Sequence, residues 1–190
     1  NPAIEVDIGT STGFGRCAAP AGASTGIYEA RAYPENGIDN GMQLAREEII
    51  PKLIGMNVDN QEQIDEMLIE ADGTDNFARI GGNISVAISL ASAKAAANGK
   101  GIALYQHLKN VDEFKIPAPM GNVLGGGAHA VGGTDIQEFL VTSFCDNVMD
   151  AILANVAVHS RVKKKLKNRF PKHALGKGDE GAWVASLSNV

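Results

Sequence analysis

"IQEFLVTSFCDNVMDAILANVAVHSRVKKKLKNRF", residues 136–170, decides the fold class of this chain. Residues 136–143 are a compact apolar run after a glycine-rich stretch and read as a strand. Asp146 is then the expected N-cap of a helix in which Met149, Ile152, Leu153 and Val156 form an apolar stripe, continued by Val162, Leu166 and Phe170. Beyond it, "KGDEGAWVA" (177–185) reads as the approach to another strand. Two strands joined through a long helix predict parallel pairing, in a sheet or a barrel. A complete (β/α)8 barrel takes about 250 residues. The chain has 190 in all, so the expectation is the start of an α/β TIM-like barrel, incomplete as it stands.

Upstream, "KIPAPM" (115–120) places two prolines in an extended connector. It is the expected boundary between a first domain, 1–114, and the barrel units, 115–190. In the first domain "AIEVDI" (3–8) alternates Ile4, Val6 and Ile8 with Glu5 and Asp7, the pattern of a half-buried strand. "TSTG" (10–13) reads as a turn and "FGRCAAP" (14–20) as the returning strand of a hairpin. "IYEARAY" (27–33) is read as a third strand, which completes a meander.

From Asn40 the period lengthens. Met42, Ala45, Ile49 and Leu53 share a helical face that Pro51 interrupts. Asn60 and Gln63 open a helix in capping-box spacing, and Gly73 stops it. Residues 83–99 are alanine-rich and nearly apolar all round, which predicts a buried helix closed by Gly99. "LYQHL" (104–108) adds a short one. Strands followed by helices define an α+β domain.

Composition excludes several classes. The net charge of −5 gives no reason to expect nucleic acid as a partner. The cations Arg161, Lys163, Lys164, Lys165, Lys167, Arg169 and Lys172 gather at the end of one helix, where they complement its dipole and cover its solvent face. Cys17 and Cys145 match no metal or redox spacing and read as reduced thiols. No apolar run is long enough to span a membrane, and no signal peptide is visible, so the expected location is cytoplasmic. The chain opens on a strand pattern without an initiator methionine, and an N-terminal piece is expected to be missing.

Three glycine-bordered stretches carry the candidate chemistry. In "NVLGGGAHAVGGTDIQEFL" (122–140), glycines flank His129 and lead to Gln137 and Glu138 at the mouth of a strand. Glycine allows close approach of a ligand to the backbone, and imidazole can donate to a phosphate or carboxylate. The plain alternative is a glycine-rich turn with an incidental histidine. No Gly-Lys-Ser/Thr follows, so this is no Walker loop. Gln137 and Glu138 point to opposite faces of a regular strand unless a bulge intervenes. "GKGDEGA" (176–182) sets Asp179 and Glu180 between glycines, either as a solvated acidic turn or as a second site converging with the first at one end of a barrel. "PAGASTG" (20–26) offers Ser24 and Thr25 in a small, polar loop.

Four stretches, "NPAIEVDI", "PAGASTGIYEA", "GGAHAVGGTDIQEF" and "KGDEGAW", occur in the order and approximate spacing of one family. The chain resembles the N-terminal portion of enolases, with wording nearer archaeal than animal members. The resemblance implies a capping domain with a three-stranded meander, then a modified eight-unit barrel. It implies a magnesium-dependent lyase that dehydrates 2-phosphoglycerate to phosphoenolpyruvate in glycolysis and gluconeogenesis, acting as a homo-oligomer with no nucleic-acid or membrane partner.

By the same resemblance, Ser24 closes over the substrate and completes the shell of a second Mg2+, while His129 and Gln137 hold substrate. Glu138 and Glu180 are the catalytic acids, Glu180 assisting departure of the 3-hydroxyl. Enzymes of this superfamily stabilise the intermediate with metal ions while a lysine or histidine removes the proton. In the family the lysine base and the main metal carboxylates lie beyond the position of Val190, so the 190 residues alone are expected to be inactive. Alanines at 21, 128 and 182 replace small residues usual in the family, and its Ser-Arg-Gly before Asn1 is missing. The alternative reading is a non-catalytic, enolase-like binding or assembly module.

Overall fold

The computed structural model describes residues 3–20, 22, 25–109, 111, 113–127, 130, 132–172 and 174–185. The chain divides into two compact units, Asn1–Asp112 and Glu113–Val190.

Unit 1 opens with the expected hairpin. Strands β1 (Ala3–Gly9) and β2 (Phe14–Pro20) pair antiparallel from Ala3↔Pro20 to Gly9↔Phe14. The Thr10 hydroxyl accepts the amides of Thr12 and Gly13 and ties the turn. The expected third strand at 27–33 does not form, and the described sheet of this unit has two strands. Ile27 and Tyr28 are 95% and 100% exposed. The backbone of this segment bonds elsewhere: Arg31 N–H donates to the Asn76 carbonyl at 2.8 Å, and the Arg31 and Ala32 carbonyls accept from Gly82 and Asn83 N–H. Gly82 and Asn83 open the long helix α4 (Gly82–Lys100), whose first amides have no partner within the helix. Satisfying them outcompetes a third sheet ladder.

Helices α1 (Ile38–Leu44) and α2 (Ile50–Leu53) are joined by a π-helical turn, Ala45–Ile49. Pro51 explains it. Proline has no N–H and its ring crowds the carbonyl four residues back, and here the Ile50 N–H reaches five residues back, to Ala45. Helix α3 (Gln61–Asp72) starts as its sequence predicts. The Asn60 side chain accepts from Gln63 N–H, and Gly73 closes the helix with φ 66°. The buried Asp72 carboxylate then accepts the amides of Thr74, Arg79 and Ile80, organising the approach to α4.

Helix α4 runs one residue past Gly99, to Lys100, because Gly101, at φ 65°, is the left-handed cap. Gly99 has a different use. It faces Thr12, while Gly13 and Gly15 of the hairpin lie against the α4 backbone. A Cβ at Gly15 would fall 1.9 Å from the Ala91 carbonyl oxygen. The alanine content of α4 is therefore a packing requirement of close strand–helix contact. Ile4, Ala45, Ile49, Ile64, Leu68, Ile80, Ile84 and Ile88 form the core beneath the hairpin. A short helix, α5 (Leu104–Leu108), ends the unit as expected.

Unit 2 holds a four-stranded sheet of order β4-β3-β6-β5, in which β3 is Met120–Gly125, β4 Glu138–Thr142, β5 Gly176–Lys177 and β6 Trp183–Val184. Strand β3 was hidden in the sequence inside a stretch that reads as a glycine loop. It pairs antiparallel with β4 and parallel with β6, so the sheet is mixed, and its described strands do not close into a barrel.

Helix α6 (Val148–Arg169) is capped by Asn147, whose side chain accepts from Asp150 N–H at 2.9 Å, and not by Asp146. Its buried face carries Ala151, Asn155 and Leu166. The expected stripe is only half used: Val162 and Phe170 pack on a small core with Leu166, Trp183 and Ala185, but Met149, Ile152, Leu153 and Val156 are exposed. Among the described residues no helix is long and apolar enough to cross a membrane.

Candidate functional site

Strand β3 organises the acidic residues of unit 2. Glu138 begins β4 directly opposite Gly125, at the C-terminal end of β3, and is half-buried. Gln137 is exposed, and its carbonyl accepts the Gly126 amide at 2.8 Å. The chain from Gly126 folds back on itself: Gly127 N–H donates to the Thr134 carbonyl at 2.7 Å, and Gly133 N–H to Ala130 at 2.9 Å. At Gly126 a Cβ would stand 2.2 Å from the Thr134 carbonyl oxygen. Part of the glycine content thus serves close packing of the loop against its own return. His129 lies outside the described residues.

Glu180 sits in the turn between β5 and β6, which Gly178 and Gly181 close with a hydrogen bond of 2.9 Å. Its carboxylate accepts from the Asn122 side-chain amide at 3.0 Å. Asn122 is a β3 residue, and the pairing of β3 with β4 shifts by a bulge between Asn122 and Leu124. Glu138 and Glu180 therefore flank the same strand on opposite sides. They do not share one level: Asn122 and Gly125 are three positions apart, about 10 Å at ~3.3 Å per residue. Asp179, beside Glu180, is exposed.

Beneath this turn, Trp183 is 6% exposed and belongs to the core. His159 stacks on it at 4.8 Å. The indole N–H donates to the His159 carbonyl at 2.9 Å, and His159 Nε2 lies 3.0 Å from the Gly181 carbonyl oxygen. Lys163 and Lys177 place their ammonium groups over the indole at 4.7 and 5.0 Å. The β5–β6 turn is thereby tied to α6.

Asn122 was missed by sequence reasoning. The available signal was a lone amide among the apolar residues of "MGNVLG" (120–125), since a polar side chain on such a strand needs a partner. Ser24 also lies outside the described residues. Both flanks of its loop are described, and both end on one residue: the Asn83 side chain donates to the Ala19 carbonyl at 3.3 Å, and the Asn83 amide to the Ala32 carbonyl at 3.1 Å. Among the described residues no three histidines, cysteines or acids gather in a group that could hold a metal. The described part of the chain does not by itself fit a magnesium ion.

A small α+β unit is followed by an α/β unit with a mixed four-stranded sheet and one long helix, in which acids border strand β3. Residues 1–108 match the enolase N-terminal domain, and residues 113–190 the enolase C-terminal TIM barrel domain. The chain belongs to the enolase family. It is 46% identical over 191 residues to the enolase of Methanosphaera stadtmanae and 47% identical over 191 residues to that of Methanothermobacter thermautotrophicus. It is 48% identical over 196 residues to the enolase of Haloarcula marismortui. Each alignment takes in 100% of this chain but only 46–47% of the relative. The chain spans about half the length of the curated relatives it matches.

Proposed function

We propose that the protein carrying this chain is a phosphopyruvate hydratase, a lyase that removes water from 2-phosphoglycerate to give phosphoenolpyruvate in glycolysis and gluconeogenesis. The observation that carries the reading is the pair of acids bordering β3 in the barrel-like unit, with Glu180 held by a neutral amide at 3.0 Å. Hydroxide is a poor leaving group. A carboxylic acid placed against it donates its proton as the C–O bond breaks, so that water departs and the acid is left as a carboxylate. Glu180 takes that role, and Glu138 is the second acid of the site. His129 and Gln137 bind the substrate's anionic groups, and Ser24 is a further substrate- and metal-binding residue of this reading.

The complete protein is proposed to be magnesium-dependent, homo-oligomeric and cytoplasmic. The base that removes the proton beside the carboxylate and the acids of the main metal site are contributed by sequence outside these 190 residues. The isolated chain is accordingly inactive. A second reading, a non-catalytic binding or assembly module, draws support from the exposed Leu140, Phe144, Met149 and Leu153 of unit 2.

Turnover of 2-phosphoglycerate by the full-length protein, with and without Mg2+, tests the reading. Active full-length protein, an inactive 190-residue chain and a kcat lowered about 100-fold or more by Glu180→Gln are expected. Full-length protein without turnover would overturn the enzymatic reading in favour of the module.

A further inference from the structure

The contact between Asn122 and Glu180 joins residues 58 positions apart and leaves one end of the amide unused. Asn122 Nδ2 donates to Glu180 Oε2, while Asn122 Oδ1 is buried and makes no hydrogen bond among the described residues. A buried acceptor without a partner is unfavourable, so its presence in a strand otherwise made of glycine and apolar residues asks for a reason. The bulge next to Asn122 supplies the means, since bulges re-aim a side chain out of the regular alternation.

We propose that Asn122 is a positioning residue that holds the Glu180 carboxyl group through both of its protonation states. The inference rests on the reading of Glu180 as the acid that protonates the leaving hydroxyl. An acid in that role alternates between a form that only accepts hydrogen bonds and a form that also donates one. The side-chain amide has a donor end and an acceptor end of almost the same shape, and a half-turn about its terminal torsion exchanges them. Ionised Glu180 takes the N–H2 of Asn122. Protonated Glu180 offers an O–H, which Asn122 Oδ1 accepts after the half-turn. One end of the amide is in use in each state and the other is in reserve, which accounts for the unpartnered oxygen.

A lysine or arginine at this position would favour the carboxylate and oppose return of the proton, and an apolar side chain would hold neither form. The charged and titratable groups around the turn are Lys177 and Asp179 on its own hairpin, His159 and Lys163 on α6, and Glu138 on β4 across β3. Among the described residues none of them forms an ion pair with Glu180.

Two variants of the full-length protein test this, Asn122→Leu and Asn122→Asp, both close to asparagine in size. In Asn122→Leu, kcat is expected to fall about tenfold or more while KM stays within about threefold, because the lost contact acts on proton transfer and not on ground-state binding. In Asn122→Asp the high-pH limb of the kcat profile is expected to move to higher pH, since a second carboxylate beside Glu180 disfavours its ionisation. A readout independent of turnover is the 13C carboxyl titration of Glu180, assigned by its disappearance in Glu180→Gln. Its midpoint is expected to move between wild type and both variants. Superimposable titrations, or a kcat within about twofold of wild type in Asn122→Leu, would overturn the proposal even in an active enzyme. A titration that moves in a protein without turnover would keep the Asn122–Glu180 coupling and overturn the hydratase reading alone.

Discussion

Unit 1 and unit 2 handle their apolar residues in opposite ways. In unit 1, Ile49 and Ile80 expose none of their surface, and eleven residues form one connected core. In unit 2 the buried cluster is Leu166, Trp183 and Ala185, while Phe144 is 86% exposed and Met149 60%. A small hydrophobic core supports only marginal stability, because buried apolar area is the main favourable term of folding. Unit 1 has the burial of an independent domain. Unit 2 leaves large apolar side chains exposed, and its polar ties include Asn155 to the Pro119 carbonyl and Trp183 to the His159 carbonyl.

The largest effect that separates the units is expected at Gly15. Its position against the α4 backbone leaves no room for a side chain, and Gly15→Val should destabilise unit 1 by about 3 kcal/mol or more, measured by urea unfolding followed by circular dichroism. Trp183, the single tryptophan, reports unit 2 by fluorescence in the same experiment. A shift of less than about 0.5 kcal/mol would mean that the strand–helix contact is looser than described.

A pH effect comes next. The hydrogen bond from the Arg79 guanidinium holds the Glu48 carboxyl below the ordinary glutamate range, partly opposed by desolvation and helped by the charges of Arg79 and Lys52. A depressed folded-state value means stability that is fully present above the unfolded-state value, about 4.3, and is lost as pH falls through the lower folded-state value. Glu48→Gln should therefore flatten the acid limb of the Tm profile below that pH and leave its slope near neutrality unchanged. Unaltered acid sensitivity would mean that solvent screens the pair.

The smallest effect is expected at Leu153. An exposed leucine on α6 has little to lose, and Leu153→Ser in the isolated chain should change stability by no more than about 0.5 kcal/mol. The same substitution should lower the retention of a hydrophobic fluorescent dye. A larger destabilisation would show that this face is already covered in solution.

How much of this was legible in the sequence also divides by unit. Helix α3 could be read residue by residue, because Asn60, Gln63 and Gly73 act locally and nothing distant competes with them. The 27–33 segment could not. Its partners are the Asn76 carbonyl and the first amides of α4, far along the chain, and composition does not show which hydrogen bonds win. Asp146 and Asn147 are both good caps, and only the path of the chain selects the second. Strand β3 was hidden because Gly121, Gly125 and the glycines that follow it read as a loop. The acids at 138 and 180 stood out by their glycine borders, and the resemblance gave them roles. The amide that touches one of them showed locally only as a lone polar residue in "MGNVLG", and nothing local pointed to a partner 58 residues away.

Asn83 joins the two ends of the connection between β2 and the α4 platform, its side chain on Ala19 and its amide on Ala32. A stretch of chain whose ends meet at one anchor is mechanically a closed ring hung from a fixed peg. Displacing Asn83 would accordingly loosen the end of β2 and the 27–33 segment together. The stretch between Ala19 and Ala32, which carries Ser24, thus takes the position of both its ends from one side chain and one backbone amide.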